Sequence, residues 1–135
     1  MDIKDQVCSL ELSMRLKELG YPQKGVFWWW RVLGFKKYRI WFIRESLSKR
    51  KKTVAPTVAE LGMALPYRLR LEDDDYWLQI FKEDDFWEIK YFGYKENIPL
   101  RVGYKDFSFQ DANEANTRGL MWEFLKKNNF LEEGE

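Results

Sequence analysis

Apolar residues recur at helical spacing near the start of the chain. Leu12, Leu16 and Leu19 fall at i, i+4 and i+7 with Leu10 and Met14 beside them, one apolar stripe on a short helix. Ser9 precedes it as an N-cap, its hydroxyl able to accept from a backbone N–H that the first turn leaves orphaned, and Glu11 suits the positive helix end. Gly20 supplies the left-handed residue after the last turn, and Pro22 blocks continuation. The period then changes. Val26-Phe27-Trp28-Trp29-Trp30-Arg31-Val32-Leu33 and Tyr38-Arg39-Ile40-Trp41-Phe42-Ile43-Arg44 are aromatic and β-branched, two strands joined at a turn marked by Gly34. Neighbouring strand residues point oppositely, so Trp29 lies on the face away from Trp28 and Trp30. Apolar residues on both faces imply either strands covered above and below or one face offered to a partner.

Ser46 to Thr53, with Lys49-Arg50-Lys51-Lys52, reads as a self-repelling polar loop. Thr57 and Glu60 then match a capping box, in which hydroxyl and carboxylate satisfy each other's backbone donors, and Pro66 closes that helix. Beyond it the pattern becomes strands again. Tyr67-Arg68-Leu69-Arg70-Leu71, Tyr76-Trp77-Leu78-Gln79-Ile80-Phe81 and Phe86-Trp87-Glu88-Ile89-Lys90-Tyr91-Phe92 are separated by the acidic turns Glu72-Asp73-Asp74-Asp75 and Glu83-Asp84-Asp85, which predicts an antiparallel meander. Leu100 to Tyr104 reads as a short edge strand, given Pro99 and Gly103. A last helix begins at Asp111-Ala112-Asn113-Glu114 and runs to Asn128. Its apolar arc, widened by Leu120 with Phe124 and Met121 with Leu125, is broad enough to lie on a sheet. The expected fold is α+β: an antiparallel sheet of five or six strands with three helices packed on one or both faces, in a single domain over residues 1–135.

Composition removes most chemistries. The chain has no His, which excludes imidazole as base, acid or metal ligand. Cys8 stands alone, so there is no internal disulfide and no cysteine-cluster metal site. The glycines form no phosphate-cradling loop, and neither acidic turn has the spacing of a calcium loop. No catalytic, cofactor or metal residue is therefore nominated, no cofactor is expected, and an enzyme with a carboxylate-based site ranks third among the functional readings. The opening residues lack the apolar stretch of a secretory signal and no window could span a bilayer, which leads to the expectation of a cytoplasmic protein without a membrane partner.

Charge is the more informative quantity. The formal net charge of +1 hides two opposed segments. Residues 24–52 hold ten Lys and Arg against Glu45 alone, a net +9, whereas residues 72–96 hold nine acids against three lysines, a net −6. Basic side chains among aromatic rings suit a single-stranded nucleic acid, with phosphates on the cations and bases on the rings. They equally suit a protein contact, and the two segments can also neutralise each other within the fold. The contact surface nominated on this basis is Trp28, Trp29, Trp30, Arg31, Arg39, Trp41, Arg44, Lys49, Arg50, Lys51 and Lys52.

Three stretches also carry a resemblance. Cys8-Ser9-Leu10-Glu11-Leu12 running into Leu16-Lys17-Glu18-Leu19-Gly20, Ala55-Pro56-Thr57-Val58-Ala59-Glu60-Leu61-Gly62 followed by Leu65-Pro66, and the last helix from Asp111 to Asn128 occur in the order of a family of small phage and prophage proteins. The chain resembles that family, whose members are described as having a phage α/β/α-sandwich type of domain. Its Asn113-Glu114-Ala115-Asn116-Thr117-Arg118 departs from the Glu-Ala-Asp-Ala-Arg-like text usual there. The resemblance implies a bacterial or phage cytoplasmic origin and assigns no functional residue. The combined expectation is a non-enzymatic binding or accessory module acting through the aromatic and basic hairpin, in a protein–protein or self-association contact. The alternative is a single-stranded nucleic-acid-binding module using the same hairpin.

Overall fold

The computed structural model describes residues 3–31, 38–42, 52–71, 74–93, 101–102 and 105–131. A short 3-10 turn, Ile3–Asp5, leads into α1 (Leu10–Glu18). Ser9 caps α1 by accepting from the Leu12 N–H, and Gly20 closes the segment at φ 95°, the left-handed region its missing side chain permits. β1 (Phe27–Arg31) and β2 (Tyr38–Phe42) form the expected antiparallel hairpin, with Phe27 opposite Phe42 and Trp28 opposite Trp41. β3 (Lys52–Val54) corrects the expectation of a loop reaching Thr53. It pairs antiparallel with β1 on the side away from β2, so β1 is the middle of a three-stranded sheet. The β-branched Thr53 and Val54, both buried, favour that extended pairing over a solvated loop.

α2 (Val58–Ala64) carries the full capping box: Thr57 Oγ1 accepts from Glu60 N, and Glu60 Oε1 accepts from Thr57 N. The meander then follows as β4 (Arg68–Leu71), β5 (Asp74–Lys82) and β6 (Trp87–Gly93). The expected edge strand is instead β7 (Arg101–Val102), which among the described residues pairs only with β8 (Lys105–Asp106), in a separate two-stranded ribbon. The fourth strand of the large sheet is β9 (Ser108–Asp111), giving the order β4-β5-β6-β9. α3 (Glu114–Lys127) is capped by Asn113, whose Oδ1 accepts from the Asn116 N–H, and ends at Asn128.

The fold is α+β, with three α-helices among the described residues, and its strands are divided among separate antiparallel sheets instead of forming one sheet of five or six. The ladder breaks after β3, because α2 intervenes and the chain returns in a new sheet. α3 lies on β6 and β9 of the large sheet, α1 touches α3 and β3 of the small one, and α2 packs on α3. Among the described residues, helices cover one face of the large sheet. Leu12, Leu16, Leu61, Ile89, Tyr91 and Leu125 are buried together with Trp28 in the core between these elements. A second, smaller cluster of Val7, Trp29 and Ala55 lies apart from it.

Polar contacts lock the N-terminal segment onto α3. Asn113 Nδ2 donates to the Val7 and Lys4 carbonyls at 3.0 and 3.1 Å, and Ser9 N donates to Asn116 Oδ1 at 2.7 Å. These two asparagines join the segment before α1 to the first turn of α3. Arg15 Nε lies 2.7 Å from Glu123 Oε2, so the largely buried carboxylate on α3 has a charged partner on α1.

Candidate functional site

The nominated hairpin surface divides sharply. Trp28 and Trp29 are both only 9% exposed. They point to opposite sides of β1, as strand alternation requires: Trp28 joins the main core, and Trp29 joins Val7 and Ala55. Both indole donors are used internally, Trp28 Nε1 on the Gly25 carbonyl at 3.1 Å and Trp29 Nε1 on the Cys8 carbonyl at 3.0 Å. Both nominated rings are thus almost wholly buried within the folded chain. The physical reason is that the N-terminal segment packs on the side of β1 away from the main core, so the strand is covered on both sides at Trp28 and Trp29. Lys52 sits on β3 with Nζ 4.6 Å from the centre of the Trp28 ring, an internal cation–π contact. Trp30, Arg31, Arg39 and Trp41 occupy register positions on β1 and β2, with Trp30 opposite Arg39. Arg44, Lys49, Arg50 and Lys51 lie outside the described residues.

Exposed aromatic surface collects elsewhere, on the large sheet. Along β5, Tyr76, Leu78 and Ile80 pack toward the core, which turns Trp77, Gln79 and Phe81 to the opposite face. Ile89 and Tyr91 do the same for β6, leaving Glu88, Lys90 and Phe92 outward. Register aligns the outward residues across the strands: Trp77 opposes Arg68 and Phe92, Gln79 opposes Lys90, and Phe81 opposes Glu88. Trp77 and Phe81 are 37% and 40% exposed, and Tyr67, just before β4, reaches 74%. The Tyr67 and Trp77 ring centres are 6.1 Å apart.

The charges of this face are arranged around the rings. Lys90 Nζ stands 4.6 Å from the Phe92 centre and 5.1 Å from the Phe81 centre, and 3.0 Å from Glu88 Oε1. The Arg68 guanidinium is 6.0 Å from the Trp77 ring and its Nε is 3.8 Å from Asp75 Oδ1. Glu88 is held below the usual carboxylate range, first by the hydrogen bond from Lys90 and then by one from Gln110 Nε2. The face therefore offers aromatic area with charges of both signs side by side.

The remaining nominations concern chemistry. Cys8 is fully buried, its Sγ donates to the Ala115 carbonyl at 3.2 Å, and burial pushes its thiol well above the ordinary range. That is a core residue. Burial likewise raises Tyr21 and Tyr91, and the Tyr91 hydroxyl donates to the Pro66 carbonyl. Among the described residues no three Cys, Asp or Glu side chains converge as a metal site, and no helix is long and apolar enough to cross a membrane. No family model, curated protein or solved structure matches the chain. The phage-family resemblance thus rests on the cap and packing residues that carry it.

The outer-face residues were missed by reading the sequence, although a signal was present. Tyr76-Trp77-Leu78-Gln79-Ile80-Phe81 is apolar at both parities, as is the tryptophan-bearing hairpin. Charge density drew attention to the hairpin, and charge density does not report which strand gains a second cover.

Proposed function

We propose that this protein is a non-enzymatic, cytoplasmic binding module of the phage accessory type, and that it self-associates through the outer face of the β4-β5-β6-β9 sheet. One observation carries the reading: Trp77, Phe81 and Phe92 share a face with no helix over it among the described residues, and the charges there come as neighbouring opposite pairs. A two-fold contact places the same patch on both partners, so a patch carrying Arg68 with Asp75 and Lys90 with Glu88 can meet its own copy without a net like-charge clash. The area sets the strength. Four strands at about 4.8 Å spacing, and a seven-residue strand at about 3.4 Å per residue, make a patch of roughly 450 Å² per copy. That lies below the roughly 800 Å² per partner of a tight complex, so the dimer is weak and concentration-dependent.

Sedimentation velocity across a concentration series tests this. The wild-type sedimentation coefficient rises with concentration, and Trp77→Ala with Phe81→Ala abolishes the rise while circular dichroism stays unchanged. A wild-type protein that remains monomeric at ~1 mM overturns the reading. Rings on an open four-stranded sheet beside Arg68, Arg70 and Lys90 also suit single-stranded nucleic acid. The carboxylates of Asp75 and Glu88 beside those cations, and the Glu83-Asp84-Asp85 turn at the sheet end, oppose phosphate. Binding of a labelled oligonucleotide that weakens steeply with salt would favour this second reading.

A further inference from the structure

Beyond the outer face, the large sheet has an edge with its own chemistry. β4 is the end strand of the order β4-β5-β6-β9, and among the described residues nothing pairs with its far side. The Leu78 N–H donates to the Tyr67 carbonyl at 2.9 Å, which fixes the alternation: Tyr67, Leu69 and Leu71 bond inward to β5. The backbone N–H and C=O of Arg68 and Arg70 consequently point away from the sheet, ready to pair with an added strand. Alongside this edge runs a groove of about 580 Å³ between the end of α2 and the residues after α3. Met63, Leu69, Leu71, Phe130 and Leu131 contribute apolar surface to a lining that is polar over most of its area, and Met63 is 92% exposed.

We infer that the β4 edge binds an extended peptide in which acidic and apolar residues alternate. Strand alternation dictates that pattern. Side chains on the helix side of an added strand enter the groove beside Leu69 and Leu71, while those on the other side lie next to the exposed Arg68 and Arg70. Arg68 is near Asp75, which also stands opposite Arg70 in the strand register, so two guanidinium groups share one carboxylate on this face and a carboxylate on the added strand supplies the second. A second copy of β4 is the wrong occupant. Edge-to-edge pairing would set Arg68 and Arg70 against the same residues of the other chain, and like charges directly opposite are destabilising.

Fluorescence polarisation with a labelled synthetic peptide of about eight residues, alternating Glu and Leu, tests the inference. The full-length protein is expected to bind it, and to ignore the peptide in which Lys replaces Glu. Arg70→Glu is expected to weaken binding at least about tenfold, as is N-methylation of the peptide amides that face β4. Met63→Glu provides a second, exposed variant that closes the groove without touching the strand, and circular dichroism confirms that both variants are folded. No binding at ~1 mM, equal binding of the Glu and Lys peptides, indifference to N-methylation, or a β4 edge already paired in a dimer each overturn it. The Trp77→Ala, Phe81→Ala protein separates this site from the outer face, since it retains peptide binding whether or not the protein self-associates.

Discussion

β1 and β5 are both strands with large apolar residues at successive positions, yet they end in opposite circumstances. On β1, Trp28 faces the core and Trp29 faces Val7 and Ala55, so both sides are closed. On β5, Tyr76, Leu78 and Ile80 reach the core, while Trp77 and Phe81 remain on an outer face that no helix covers among the described residues. The difference lies in what crosses the second side. Residues before α1 are held over β1 by Asn113, Asn116 and the Val7–Thr57 bridge, whereas the helices have only one face of the large sheet to occupy. Aromatic composition by itself does not distinguish a core strand from a contact strand.

The contrast makes quantitative predictions. Trp29→Ala removes a buried ring and leaves the Cys8 carbonyl with the Ser13 hydroxyl as its partner, and should cost about 3–5 kcal/mol in urea unfolding. A loss below about 1 kcal/mol would mean that β1 is open on that side. Alkaline titration probes the same closed region through three groups. Cys8, Tyr21 and Tyr91 all ionise less readily in the folded protein, mainly because burial disfavours their charged forms. Their neutral forms are the stabilised ones, so stability is intact below the ordinary cysteine value of about 8.5 and falls as pH rises through about 10 and beyond. Denaturation midpoints measured over that interval should decline steadily, and Cys8 should resist thiol reagents until the protein unfolds.

Gly119→Ala examines the packing of α3 on α1. A Cβ there would stand 2.8 Å from Cys8 Sγ and 2.9 Å from Leu12 Cδ2, so these buried side chains must shift, at about 1–3 kcal/mol in the same assay. Thr57→Ala loses half of the capping box and should cost about 1 kcal/mol. Trp77→Ala on the outer face gives up only cross-strand contacts with Tyr67, Arg68 and Phe92, and should cost about 1 kcal/mol while self-association is lost. If Trp77→Ala instead unfolded the protein as readily as Trp29→Ala, the two strands would be equivalent and the proposed contact face would be core.

Much of this was legible in the residue order. Ser9, Gly20, the Thr57–Glu60 box and Asn128 act within a turn or two of where they stand, so the helix ends follow from local hydrogen bonding and backbone sterics. The hairpin and the meander followed likewise from aromatic runs punctuated by turns, and the apolar arc of α3 announced that it lies on a sheet. Only the folded chain decided that Lys52–Val54 is a strand on β1, that Ser108–Asp111 completes the large sheet, and that Trp29 is enclosed while Trp77 is not. Those outcomes depend on partners distant in sequence. Which face of a strand is covered is a property of the neighbour that arrives there, and the period of side chains along one strand carries no record of it.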